Sequence, residues 1–323
     1  MRGMTKTALI IGATGGVGRE VARALAHRGW QLRCLSRLPK PVSVSLSGNG
    51  VAWIKGDAMK AEDVVNAARD VAVIVHAANP PRYRNWRGLA MPMLRNSIEA
   101  ARASNARLIF PGNLYNFGPD AAPLLSETAP QNPNTRKGRV RSEMEDMLRA
   151  AAATGTRSLV VRAGDVFGGH GPSSNFSNVL IKPREPLRAI VYPGPPATGH
   201  AWAYLPDYAE AIARLADIEA DLPSFDMFHF GGHWIEPGIE LAQSIRRAAG
   251  RLDLPIRRFP WLAVRLLAPF APLLREVEEV RYLWDVPLRL DNSKLIALIG
   301  DEPHTPLDQA VRASLLELGC LTS

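Results

Sequence analysis

At 323 residues, with 46% hydrophobic and 22% charged side chains, the chain is long enough and apolar enough to bury a sizeable core, which excludes intrinsic disorder. Its formal charge of +8 is scattered, with short basic clusters only at 136–141, 246–247 and 257–258; this argues for anionic small molecules or plain solubility rather than a nucleic-acid groove. The two cysteines, Cys34 and Cys320, stand in no metal-ligand spacing, so the expectation is no metal site and a reducing, cytoplasmic setting.

The first residues carry too short an apolar run for a signal peptide. Residues 7–29, "TALIIGATGGVGREVARALAHRG", read as a short strand, a glycine-rich turn and a helix with Val17, Val21, Ala24 and Leu25 on one face. Gly12, Gly15 and Gly18 give the spacing GxxGxxG, in which bare backbone can approach a pyrophosphate at the positive end of the following helix. Gly12, Thr14, Gly15, Gly16, Val17 and Gly18 are therefore candidate cofactor-binding residues.

A second strand over 31–37 ends in Ser36 and Arg37, where an acidic residue would bind ribose hydroxyls. A hydroxyl and a guanidinium suit a 2′-phosphate instead, so NADP is expected in preference to NAD. Strands over 51–57, 71–78, 107–112 and 158–164 follow, alternating with helices from 61, over 86–103 and from about 139. That order predicts an α/β fold: a Rossmann doubly wound parallel sheet over 1–165. A smaller C-terminal substrate-binding region is expected over 166–323, with some segments returning to the sheet domain.

The stretch 134–151, "NTRKGRVRSEMEDMLRAA", crowds Arg136, Lys137, Arg139 and Arg141 at a helix start, against the sense of the helix dipole. It reads either as a solvated helix start or as an altered catalytic site. Further on, 165–186 is rich in glycine, serine and proline, and Phe167, His170, Asn175 and Phe176 are candidate pocket residues. Asp207 is expected to cap the helix that follows it and Asp291 to cap the last helices. The apolar run 261–274, "WLAVRLLAPFAPLL", holds Arg265, Pro269 and Pro272 and is too short to span a bilayer. We read it as a core or substrate-region helix, with peripheral membrane contact as the alternative.

Taken together, "GATGGVG", "GD" at 56–57, "HAA" at 76–78, "FPGNLYNFG" at 110–118, "VVRAGDVFG" at 160–168, "AWAYLPDYAEAI" at 201–212 and "LDNSKLIALIG" at 290–300 resemble the extended short-chain dehydrogenase/reductase family, the NAD-dependent epimerase/dehydratase-like group. The resemblance implies that Asp57 lies near the adenine amino group and that Ala77 and Ala78 line the cofactor. It also implies a catalytic serine or threonine, then Tyr-x-x-x-Lys, in which the tyrosine exchanges a proton with the substrate oxygen and the lysine lowers its pKa. In this chain Asn113, Lys137 and Arg141 stand at those positions.

Arg141 could hold the ribose but cannot titrate, whereas Lys137 could donate a proton if neighbouring positive charge lowers its pKa. Tyr115 is a second candidate acid, and Asn113 could orient a substrate carbonyl or cap backbone in its own turn. The expected function is an NADP-dependent oxidoreductase acting on a carbonyl or alcohol of a small metabolite. A homodimer is an open option for its assembly. The alternatives are a non-catalytic NADP(H)-sensing regulator and a sugar-nucleotide epimerase or dehydratase.

Overall fold

The structure, a computed structural model, describes residues 6–38, 50–80, 85–121, 123–169, 174 and 176–321. Two of the candidate pocket residues, His170 and Asn175, lie outside the described residues. The chain divides into two compact units. The first comprises Met1–Gly112, Val140–Arg162 and Ala209–Phe228; the second comprises Asn113–Arg139, Ala163–Tyr208 and His229–Ser323.

The first unit is built on a seven-stranded sheet. β1 (Thr7–Ile11) pairs in parallel with β2 (Gln31–Ser36) on one side and β4 (Val73–His76) on the other. β3 (Val51–Lys55) extends the sheet from β2, and β5 (Arg107–Gly112) extends it from β4, followed by the strands Ser158–Arg162 and Phe225–His229. Ala8–Ile11, Val73–Val75 and Leu108–Phe110 are no more than 1% exposed, which is why they read as unbroken apolar runs: both faces of the sheet are covered. The covering helices include α1 (Gly16–His27), α2 (Ala61–Ala67), α3 (Trp86–Ser104), α4 (Arg136–Ala153) and α5 (Leu205–Asp217).

Two buried arginines tie this unit together. Arg107, at the start of β5, donates to the carbonyls of Glu219, Leu222 and Pro223 at 2.7–2.8 Å and so anchors the turn into the strand Phe225–His229. Arg162 donates to both carboxylate oxygens of Glu145 on α4, at 2.8 and 2.9 Å, with neither side chain measurably exposed. The strands are added on one side of β1 as far as β3 and then on its other side from β4, so the turns after β1 and β4 form the switch point at which α/β sheets bind ligands.

In the second unit the strands Asp165–Phe167, His200–Tyr204 and His233–Ile235 form a three-stranded sheet. Phe167 and Phe176, expected to line a pocket, are 0% exposed and pack with Trp202 in the core of this unit. Asp207 does not cap its helix with its side chain: its carboxylate accepts from the Thr305 amide at 2.6 Å and the Thr305 hydroxyl at 2.8 Å. Asp291 lies one residue before the N-cap of the helix Ser293–Ile299, which is Asn292, and its carboxylate accepts from the Ser293 amide at 3.0 Å. The run 261–274 is no core helix. It breaks at its prolines into the helices Trp261–Leu267 and Pro272–Glu279, and of its large apolar residues only Val264 is buried.

Candidate functional site

The turn after β1 shows why its glycines are where they are. Gly12 has φ +95°, and a Cβ there would lie 2.6 Å from the carbonyl carbon of Ala77. A Cβ on Gly18 would lie 2.3 Å from the Gly12 oxygen, so β1, α1 and the Ala77–Ala78 backbone close on each other only with hydrogen at these positions. Gly15 differs, since its Cβ would meet only the Gly12 oxygen at 3.4 Å. Packing does not demand a glycine there, and the bare backbone leaves room for the close approach of a ligand. Gly15 is also the N-cap of α1 and offers no side-chain cap, and the first turn of α1 carries no acid. Its amides, those of Gly16, Val17 and Gly18 among them, are a positive terminus suited to a pyrophosphate. Thr14 and Gly15 are exposed at this turn.

At the end of β2, Ser36 accepts from the Leu38 amide at 3.3 Å, and Arg37 is exposed without an ion pair among the described residues. Asp57 is half-buried after β3, and one of its oxygens is taken by the Met59 amide at 3.0 Å. Beyond β4, Arg141 is 6% exposed and lies within hydrogen-bond reach of the Pro111 carbonyl and the Asn79 side chain, at 3.3 and 3.4 Å. Its guanidinium also stacks over the rings of Trp86 and Phe110, at 5.2 and 5.0 Å from their centroids. A cation sandwiched in this way at the carboxyl end of β5 is positioned, not solvated.

His76 ends β4 beside these groups, 2% exposed, with Nδ1 at 2.7 Å from the Ser97 hydroxyl. That hydroxyl also lies 3.1 Å from the Met93 carbonyl, so the His76 ring is tied to α3. Burial, with the Arg141 charge adding to it, pushes its pKa down to about 3. The unfolded chain takes up a proton near the ordinary histidine value of about 6.5 and the folded chain does not, so stability falls as pH drops below that value. Between pH 6.5 and 5 this group is expected to remove about 2 kcal/mol of unfolding free energy. Urea unfolding across that range measures it; an equally steep loss in His76→Gln would show that another group is responsible.

In the second unit, Asn113 Oδ1 accepts from the Tyr115 amide at 3.0 Å, and Tyr115 is half-buried against Leu114, Phe117 and their neighbours. A Cβ on Gly138 would lie 2.2 Å from the Tyr115 carbonyl oxygen. The start of α4 therefore sits directly on the Asn113–Tyr115 turn, and the bare backbone at 138 is what lets the helix approach it. Thr135 caps the helix, accepting from the Gly138 amide at 2.9 Å.

Lys137 is 4% exposed and Arg141 6%, so neither is a solvated cation, whereas Arg136 and Arg139 of the same helix start are exposed. Its Nζ lies 3.0 Å from the Glu276 carboxylate and donates to the Glu276 carbonyl at 2.6 Å, while its backbone amide donates to Glu279 at 3.0 Å. Glu276 and Glu279 supply the negative charge that a helix N-terminus favours and that its own sequence lacks. Burial holds the Lys137 ammonium below the ordinary lysine value, against the opposing pull of Glu276. Asn79, Trp86, Thr135, Gly138, Glu276 and Glu279 were missed from sequence; of these only Thr135, three residues before the Gly138 amide it caps, left a local signal.

A parallel sheet whose strand order changes side at β1, with a glycine turn and an uncapped helix start at the switch point, defines a Rossmann-type α/β protein. Residues 8–228 match the NAD dependent epimerase/dehydratase family, and the chain belongs to that family. It is 32% identical over 185 residues to a ceramide reductase of Caulobacter vibrioides (strain NA1000 / CB15N), over 56% of this chain and 53% of the reductase. The chain thus matches about half the length of that curated relative. Among solved structures it resembles a UDP-glucose-4-epimerase from Stenotrophomonas maltophila with bound NAD, with TM-score 0.76 and 15% identity over 98% of both chains. It also resembles the UDP-glucose 4-epimerase of Bifidobacterium longum, with TM-score 0.74 and 14% identity over 98% of this chain and 100% of that one.

Proposed function

We propose that this protein is an NADP(H)-dependent oxidoreductase that interconverts a carbonyl and an alcohol. Residues 1–165 are read as mainly cofactor-binding and 166–323 as mainly substrate-binding. The observation that carries the reading is the cradle at Gly12, Gly15 and Gly18, a turn that no Cβ could enter at two of its three glycines. The likeness to a ceramide reductase supports reduction over epimerisation. When bound, the nicotinamide would supply or accept the hydride. The chain's part is to hold the pyrophosphate at the start of α1, bind a 2′-phosphate at Ser36 and Arg37, and place Arg141 toward the ribose. Lys137 would hold the proton for the substrate oxygen, with Tyr115 as its rival and Asn113 orienting the carbonyl.

NADPH absorbance, followed while the purified protein meets pooled carbonyl metabolites, tests this function with NADH alongside. Consumption in one fraction supports a reductase and leads to its substrate. Arg37→Asp is expected to weaken NADPH binding by about 1.5–3 kcal/mol, the value of a hydrogen bond to a charged group, and not to weaken NADH, whose free ribose hydroxyls an acid there can bind. Equal NADPH affinity in that variant removes the 2′-phosphate assignment.

The second reading is a non-catalytic NADP(H) sensor, and the observation favouring it is the engagement of Lys137 with Glu276. Tight NADPH binding without consumption in any fraction would select it.

A further inference from the structure

Residues 254–275 contain four arginines, Arg257, Arg258, Arg265 and Arg275, and no acid. All four are exposed, and among the described residues none is in an ion pair. Between them lie Leu262, Leu266, Leu267, Phe270 and Leu273, exposed by 73, 65, 53, 84 and 57%. Val264 and Ala268, one helical turn apart, are the residues that face inward. A contiguous apolar face of this kind on a soluble fold marks an interaction surface. The acids just beyond it are already matched: Glu276 and Glu279 by Arg136 and Lys137, and Glu278 by Arg281.

Charge decides the occupant. A symmetric contact with a second copy would set this patch against itself, arginines facing arginines with no acid to pair them. An anionic bilayer offers phosphates for the arginines and hydrocarbon for the leucines at once. Helices of 7 and 8 residues are too short to cross it, and no helix among the described residues is long and apolar enough to span a membrane.

We propose that the hairpin of residues 261–275 docks this protein on the surface of a bilayer containing anionic phospholipid. Leu262, Leu266, Phe270 and Leu273 enter the boundary between headgroups and acyl chains, and the four arginines lie at the level of the phosphates. An enzyme docked there draws its carbonyl substrate from the bilayer; that extension rests on the proposed function, whereas the docking does not.

The test uses the full chain without nucleotide or substrate, sedimented with vesicles of phosphatidylcholine alone or with phosphatidylglycerol added. Binding is expected only to the anionic vesicles and should weaken as salt rises. Leu266→Ser and Phe270→Ser leave the net charge unchanged, so a loss of about tenfold or more in either isolates apolar insertion from general basicity. Arg265→Glu is expected to weaken binding by about fivefold or more. Both serine positions are exposed, and circular dichroism of each variant controls for folding. The proposal is overturned by absence of binding to anionic vesicles, or by binding that neither serine variant weakens. A concentration-dependent dimer abolished by Phe270→Ser, without vesicle binding, also overturns it and names a second copy as the occupant.

Discussion

Replacing Glu145 with alanine is expected to lower the unfolding free energy by about 3–5 kcal/mol, the loss that follows when one partner leaves a buried ion pair. Arg162 donates to both Glu145 oxygens and is itself 0% exposed, so in Glu145→Ala a guanidinium is left deep in the first unit without its carboxylate. Water does not reach it, and an arginine cannot discharge by losing its proton. The pair as a whole is a different matter, because removing both charges also removes the cost of burying them. Glu145→Met combined with Arg162→Met should therefore recover much of the stability lost in the single variant. Glu143 is the internal control: it lies two residues away on the same helix, paired with Arg87 but 39% exposed. Glu143→Ala should change stability by no more than about 1 kcal/mol. Urea unfolding of the four proteins at neutral pH gives the comparison. A Glu145→Ala loss no larger than that of Glu143→Ala would mean that the buried pair contributes nothing specific.

The same contrast between near and distant partners explains which features were legible in the sequence. β1, β4 and β5 were readable because the sheet buries both of their faces, and a strand of four to six mostly apolar residues carries that information by itself. The glycine turn was readable because its geometry is local. The start of α4 was placed near residue 139 and lies at Arg136, because the acid that completes it, Glu279, comes from 142 residues further on. Asp207 was read as a cap for the same reason, its partner Thr305 being 98 residues away. Phe167 and Phe176 sit among glycines, serines and prolines that suggest an open loop. The core that claims them is assembled around Trp202, a contact that no local pattern encodes. In the run 261–274, apolarity fits a core helix, a substrate-region helix or peripheral membrane contact alike. Two prolines break the helix there and leave one apolar side outward, which hydropathy alone does not distinguish from a core segment.

Lys137→Met is expected to lower turnover by about a hundredfold to ten-thousandfold while NADPH affinity stays unchanged, the range over which a positioned proton donor contributes. The environment of the ammonium sets its acidity. Burial disfavours its charged form, Glu276 favours it, and the balance still lies below the ordinary lysine value. A lysine made more acidic in this way parts with its proton more readily. It must also be in the charged form to do so, so turnover in the reductive direction should fall as pH rises through its lowered pKa. Stability runs the other way: between that pKa and the ordinary value of about 10.4 the unfolded chain binds more protons, so this group makes the fold more stable as pH rises. Methionine alone cannot separate proton transfer from a structural pin, because it also takes from Glu276 the ion pair with Lys137, leaving that with Arg136. Lys137→Arg separates them. An arginine keeps the charge beside Glu276 but cannot give up a proton, so a pin survives the change and a proton donor does not. Turnover lost in both variants, with cofactor binding retained, assigns the proton to Lys137. Turnover kept in the arginine variant makes the lysine a clasp between α4 and the helix Pro272–Glu279 and moves the proton to Tyr115.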